Sequence, residues 1–135
     1  MQLFLSLRQW GDLALFILRL GVGVVFFVHG RQKWPMWKAQ LSATMPPGML
    51  NIMRILSVAE TLGALAVLTG FLTQLAALGL AIVMVGAINL KVNRLHKSFT
   101  GDGGWELDYG ILCTCLALLF LGAGIFSLDH VLFAI

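Results

Sequence analysis

Residues 16–30 read FILRLGVGVVFFVHG, an apolar run with one arginine, Arg19, about a third of the way along it. Such a segment is built to leave water. A guanidinium within it needs a partner, because a charge at the centre of a bilayer costs about 2.5–3.5 kcal/mol on insertion scales. The rest of the chain has the same character. Its 135 residues are 59% hydrophobic and 11% charged, with a mean hydropathy of +0.93, far from the balance of soluble domains. The sequence therefore reads as one integral membrane domain, residues 1–135. Its opening, MQLFLSLRQWGD, meets Arg8 and Asp12 before any small-residue cleavage site, which predicts that the first apolar span is retained.

A hydrocarbon core of about 30 Å needs about 20 helical residues, and unpaired backbone groups exclude an open sheet in lipid. Four helical spans are predicted, at about residues 13–29, 49–68, 72–90 and 107–126. The short link TGFLTQ makes the second and third antiparallel neighbours. The first connection, GRQKWPMWKAQLSATMPPG, carries Trp34 and Trp37, which suit the headgroup level, and ends at Pro46 and Pro47. The third, KVNRLHKSFTGDGG, is basic and then glycine-rich. These two connections share a side and hold Arg31, Lys33, Lys38, Lys91, Arg94 and Lys97, against Arg8 on the other. The positive-inside rule therefore predicts that residues 30–48 and 91–104 are cytoplasmic and both termini outside. The expected fold class is all-α, an integral membrane four-helix bundle with antiparallel neighbours and both termini on one side.

The net charge of +3 and pI near 9.2 follow from that topology. They point to anionic lipid headgroups and carry no nucleic-acid signal.

A second charge, Glu60, lies within ILSVAETLGALAVL. Counted at about 1.5 Å per residue, Arg19 is about 15 Å and Glu60 about 17 Å from the cytoplasmic ends of their spans. Matched depth predicts an Arg19–Glu60 pair. It would either fasten spans one and two together or wall a polar pocket for a headgroup, a quinone carbonyl or an ion. Gly21, Gly23 and Gly63 nearby leave room for close helix packing or for a ligand. A second candidate group gathers at the cytoplasmic end, where His29, Lys33, Glu106 and Arg54 would line the mouth of the bundle and bind or protonate a ligand. Glu106 and Asp108 equally suit a helix N-terminus by complementing its dipole.

Other chemistry has little support. On a helix Cys113 and Cys115 point about 200° apart, so they form no redox pair and read as packing residues. His29, His96 and His130 lie at a span end, in a loop and in the tail, which does not suit haem ligation. GVGVVF follows no strand, and GDGGWELD lacks the spacing of a calcium loop. Neither a metal site nor a nucleophile–base arrangement is evident, so the residues alone leave open whether the chain is an enzyme. Gly79 and Gly86 give the third span a small-residue face, for packing within the bundle or against a second protomer.

RLGVGVVFFVHGRQKW, AETLGALAVLTGFLTQLAAL, GDGGWELD and GAGIFSLD occur in an order that resembles the DoxX family of small four-helix bacterial membrane proteins, over nearly the whole chain. The most specific residues are His29, Gly30 and Lys33; Glu60, Gly63 and Gly70; Gly104 and Glu106; and Gly124, Ser127 and Asp129. Where the family ends in Gly-Pro-Gly-x-Tyr, this chain has Gly122, Ala123, Gly124 and Phe126, and so lacks the phenol. Members are similar to the small subunits of thiosulfate:quinone oxidoreductase and of terminal quinol oxidase, and others accompany thiol-redox enzymes or metal-handling operons. The resemblance implies an accessory redox subunit of the bacterial inner membrane, with a protein partner, no intrinsic cofactor, and room for a bound quinone or lipid. A small proton-coupled transporter is the alternative from another class, and an adjacent Arg19, by favouring ionised Glu60, counts against it. A scaffold or assembly factor without a ligand is the third reading.

Overall fold

The computed structural model describes residues 6–40 and 47–133. All regular structure among them is helical: α1 (Gly11–Gln32), α2 (Pro47–Thr69), α3 (Thr73–Asn89), α4 (Glu106–Leu121) and α5 (Leu128–Phe133). A 3-10 turn, Leu7–Trp10, leads into α1, another, Trp34–Trp37, follows it, and α3 runs on into a π-helical turn, Leu90–Arg94. Three stretches are long and apolar enough to cross a membrane: Leu7–Trp37, Pro47–Thr69 and Thr73–Arg94. Pro47 opens α2, where a missing N–H costs no hydrogen bond. Pro46 lies outside the described residues.

The fourth predicted span is corrected. α4 has 16 residues, about 24 Å, and stops five residues before the predicted end. The residues that follow are mostly apolar, so hydropathy runs on, but Gly122 adopts φ +78° and ψ −161°, a conformation open essentially to glycine alone. The helix ends there for a backbone reason.

α1 packs against α2, α2 against α3, α3 against α4, and α4 back against α1. Lipid tails are as apolar as the helices, so close contact rather than exclusion from water must hold them together. Glycine supplies that contact. A methyl group at Gly30 would come within 2.6 Å of Thr61 Oγ1 and 2.9 Å of its backbone nitrogen, and one at Gly23 would strike Leu68. Gly63 receives Leu80 in the same way, at 2.8 Å. Val22, Phe26, Ala64, Val67, Ala77, Leu80, Cys115 and Leu118 fill the middle. Cys115 is the packing residue expected, whereas Cys113 faces outward. Gly79 and Gly86 are exposed, and an added methyl at either meets nothing within 4 Å, so they take no part in packing between these helices. Ile17, Val24, Ile55, Leu62, Leu75 and Ile82 also point outward, an apolar surface that fits a lipid bilayer.

The link between α2 and α3 is a tight hairpin. Gly70, at φ +70°, puts the chain into the left-handed region. The Gly70 N–H donates to the Val67 carbonyl at 3.2 Å and the Phe71 N–H to the Ala66 carbonyl at 2.9 Å, the paired closure of a Schellman end. A methyl at Gly70 would lie 2.5 Å from Ser127 Cβ and would strike the Arg19 guanidinium. Gly70→Ala should therefore lose more than the roughly 1–2 kcal/mol of left-handed strain and lower the melting temperature in detergent by several degrees. Gly79→Ala, on an open helical face, should change stability by no more than about 1 kcal/mol, and in the stabilising direction.

Candidate functional site

Arg19 and Glu60 do not meet; the predicted pair is corrected. Gly30 of α1 rests on α2 at Glu60 and Thr61, which fixes the antiparallel register. Arg19 lies 11 residues before Gly30, about 16 Å along α1, and so is level with Val67 and Gly70. Depth counted from the ends of apolar runs missed this, because α1 continues to Gln32 and brings Lys33 to the carboxylate first.

At the end of the molecule that holds the α2–α3 hairpin, Arg19 is fully buried, at 0% exposure. It donates through Nη2 to the Phe126 carbonyl and through Nη1 to the Val67 carbonyl, at 3.5 Å. Its guanidinium carbon lies 5.5 Å from the centre of the Phe16 ring, which meets Phe126 edge-on at 6.3 Å. Asp129 is the carboxylate whose charge acts on it. That carboxylate accepts the N–H groups of Leu72, at 2.6 Å, and Thr73, at 2.9 Å. It thereby caps α3 from a distant part of the chain. The Asp129 N–H donates to the Gly70 carbonyl at 2.8 Å. Asp12 accepts the Ile125 N–H at 3.0 Å.

At the opposite end both oxygens of Glu60 accept from Lys33 Nζ. The glutamate side chain is 3% exposed and the lysine 23%, so Lys33 reaches inward from the water side along its apolar stem. Trp37 Nε1 donates to Ser57 Oγ at 2.9 Å, and Ser57 Oγ to the Arg54 carbonyl at 2.7 Å. Thr61 Oγ1 donates to the Ser57 carbonyl at 2.7 Å. Arg54 Nε donates to the Met36 carbonyl at 3.1 Å, tying the turn Trp34–Trp37 to α2. Beside this network runs a groove of about 380 Å³ lined by Trp34, Trp37, Val58, Thr61 and Leu62.

Of the predicted residues the structure joins Lys33 and Glu60. It places Arg19 in the other cluster and leaves His29 and Glu106 exposed on their helices. A parallel pair was missed: Lys91 forms an ion pair with Asp108 at 2.6 Å and donates to the Gly104 carbonyl at 3.1 Å. Its signal was a lysine just past the end of an apolar run facing an acid at the start of the next. Asp129 was legible as part of the closing family motif, though not its role as a cap, and Asp12 only as a charge near a span end. Among the described residues no group of three or more His, Cys, Asp or Glu could hold a metal ion.

Double-mutant cycles should separate the two pairings. Lys33→Met leaves the Glu60 carboxylate buried without its partner and should cost about 3–5 kcal/mol. Adding Glu60→Leu should recover most of that. Arg19→Met and Glu60→Leu should add to within about 0.5 kcal/mol, as independent sites do. Unfolding in mixed micelles measures both cycles.

Comparison with known proteins fits this geometry. The DoxX family model matches residues 14–93, which include most of α1, all of α2 and α3, and both Arg19 and the Lys33–Glu60 pair. The chain is 28% identical over 123 residues to a Bacillus subtilis (strain 168) protein named "Putative oxidoreductase CatD", covering 90% of this chain and 89% of that one. It is 35% identical over 142 aligned positions to the uncharacterized membrane protein Rv3486 of Mycobacterium tuberculosis, covering 92% of this chain and 84% of the relative. No solved structure matches it significantly. The chain belongs to the DoxX family.

Proposed function

We propose that this protein is an accessory subunit of a quinone- or thiol-linked redox complex in the bacterial inner membrane. In this reading α4 is a short fourth crossing that completes a four-helix bundle. Residues 30–48 and 91–104 face the cytoplasm and both termini lie outside. Family membership and the oxidoreductase name of a relative support the redox association. The ligand is a quinone or a lipid, held in the groove of Trp34, Trp37, Val58, Thr61 and Leu62.

The observation that carries this reading is an apolar groove two of whose lining residues are the chain neighbours of a buried carboxylate and its lysine. Glu60 and Lys33 adjoin Thr61 and Trp34, two of the groove's lining residues. The apolar walls suit an isoprenoid or acyl tail. Lys33, fixed by Glu60, presents a positioned donor to a carbonyl or headgroup oxygen, in surroundings where such a bond is stronger than in water. The chain binds and orients the amphiphile, and the protein partner moves the electrons.

Extraction into nanodiscs with native lipid, followed by native mass spectrometry, tests this. A partner protein, and a quinone or phospholipid at near-stoichiometric level, should copurify. Val58→Trp, at an exposed position of the groove lining, should expel the amphiphile while the protein stays folded, and Lys33→Met with Glu60→Gln should weaken its retention at least tenfold. Copurification of neither contradicts the proposal. Proton-coupled uptake in proteoliposomes, lost in Glu60→Gln, would assign a carrier instead.

A further inference from the structure

We infer that residues 122–133 form a cap embedded in the outer leaflet, their outward face against lipid acyl chains, with Arg19 as the donor that allows this backbone to lie there. The inference rests on the four crossings proposed above, and three independent features lead to it.

The first is length. α4 spans about 24 Å of a hydrocarbon layer about 30 Å thick, so with Glu106 at the cytoplasmic boundary the chain reaches Gly122 while still within the outer leaflet. The contacts of the next residues agree: Ile125 bonds to Asp12 in the first turn of α1, and Phe126 to Arg19 two turns deeper. The segment thus runs beside α1 within its helical length and does not leave the membrane at once.

The second is how the non-helical backbone is satisfied. Irregular backbone at membrane depth persists only where its polar groups have partners inside the protein. Here side chains and backbone from four parts of the chain supply them. Arg19 donates to the Phe126 carbonyl, Asp12 accepts from Ile125, and the Gly70 carbonyl accepts from Asp129. Ser127 Oγ donates to the Gly124 carbonyl at 2.5 Å and accepts the His130 N–H at 3.1 Å. A loop in water would not need this provision, since water would serve.

The third is the outward face. Phe126 is 55% exposed, Val131 73% and Leu132 59%, with Ile125 and Leu128 beside them and His130 the exposed polar residue among them, whereas Asp129 and Ser127 turn toward the protein. This is the reverse of a water-facing helix and the arrangement of one lying in lipid. Arg19 is thereby explained without a partner carboxylate in direct contact: it is the internal donor for a backbone that water does not reach.

The test uses Val131→Cys and, as a cytoplasmic control, Ser98→Cys, each in a Cys113→Ser, Cys115→Ala background reconstituted into vesicles. A bimane probe at position 131 should be quenched at least twofold by phosphatidylcholine spin-labelled at the upper acyl chain. A membrane-impermeant maleimide should label position 131 at least tenfold more slowly than position 98. Arg19→Met should raise the labelling rate at 131 at least tenfold, with Arg19→Lys intermediate; should those variants misfold, the unsubstituted Arg19 protein still decides. Fast labelling at 131 from the side opposite 98 overturns the cap and leaves the four crossings standing, whereas fast labelling from the same side overturns both. Protection without lipid quenching would place a partner protein or a second copy on this face, and overturns the cap equally.

Discussion

A guanidinium that leaves water carries five N–H donors in a fixed fork and cannot shed its charge. Arg19 meets part of that demand with backbone carbonyls, from Val67 on α2 and from Phe126 in the chain after α4, while its Nε is buried with no hydrogen-bond partner. The Phe126 carbonyl lies in the non-helical link between α4 and α5, and the Val67 carbonyl, in the last turn of α2, is shared with the Gly70 N–H. One side chain of α1 thus ties together segments 48 and 107 residues away in sequence. Gly70 makes room for it, since any side chain there would collide with the guanidinium. Asp129 caps α3 and bonds back to the Gly70 carbonyl, closing the same end of the molecule.

The other end uses a different solution. Glu60 and Asp108 are buried acids, each met by a lysine that comes in from the end of the preceding helix, Lys33 after α1 and Lys91 after α3. Burying a lone carboxylate would be prohibitive, and a paired one is roughly balanced against desolvation, so these pairs fix register more than they add stability. The result is a division along the bundle: a closed knot of backbone and side chains around Arg19, an apolar middle, and a polar network beside a groove at the opposite end. Open volume at that end includes the groove and a second hollow of about 320 Å³ lined by Phe27, Val28, Arg31 and Gln32, and the ligand is proposed for the groove because its walls are apolar.

Hydropathy made α1, α2 and α3 legible, because lipid imposes length and composition on every crossing. The short link after Thr69 was equally plain, and the ordered motifs identified the family. The end of α4 was hidden, since Ile125 and Phe126 continue the apolar run while Gly122 breaks the helix by its backbone angles. The partner of Glu60 was hidden for a geometric reason. Depth was reckoned at the Cα atom, but a lysine stem can carry its charge about a helical turn inward, so Lys33 competes from outside the apolar run. The partners of Arg19 were carbonyl groups, which every residue has and no sequence advertises.

Magic-angle spinning NMR of the uniformly labelled protein in lipid bilayers addresses the pairing most directly, through dipolar contacts between side-chain nitrogens and carbonyl or carboxyl carbons. The Arg19 Nη signals should correlate with the Phe126 carbonyl carbon, and the Lys33 Nζ signal with the Glu60 carboxyl carbon. A correlation of Arg19 Nη with the Glu60 carboxyl carbon, and none with Phe126, would contradict the two-ended arrangement from which the groove and the outer cap both follow.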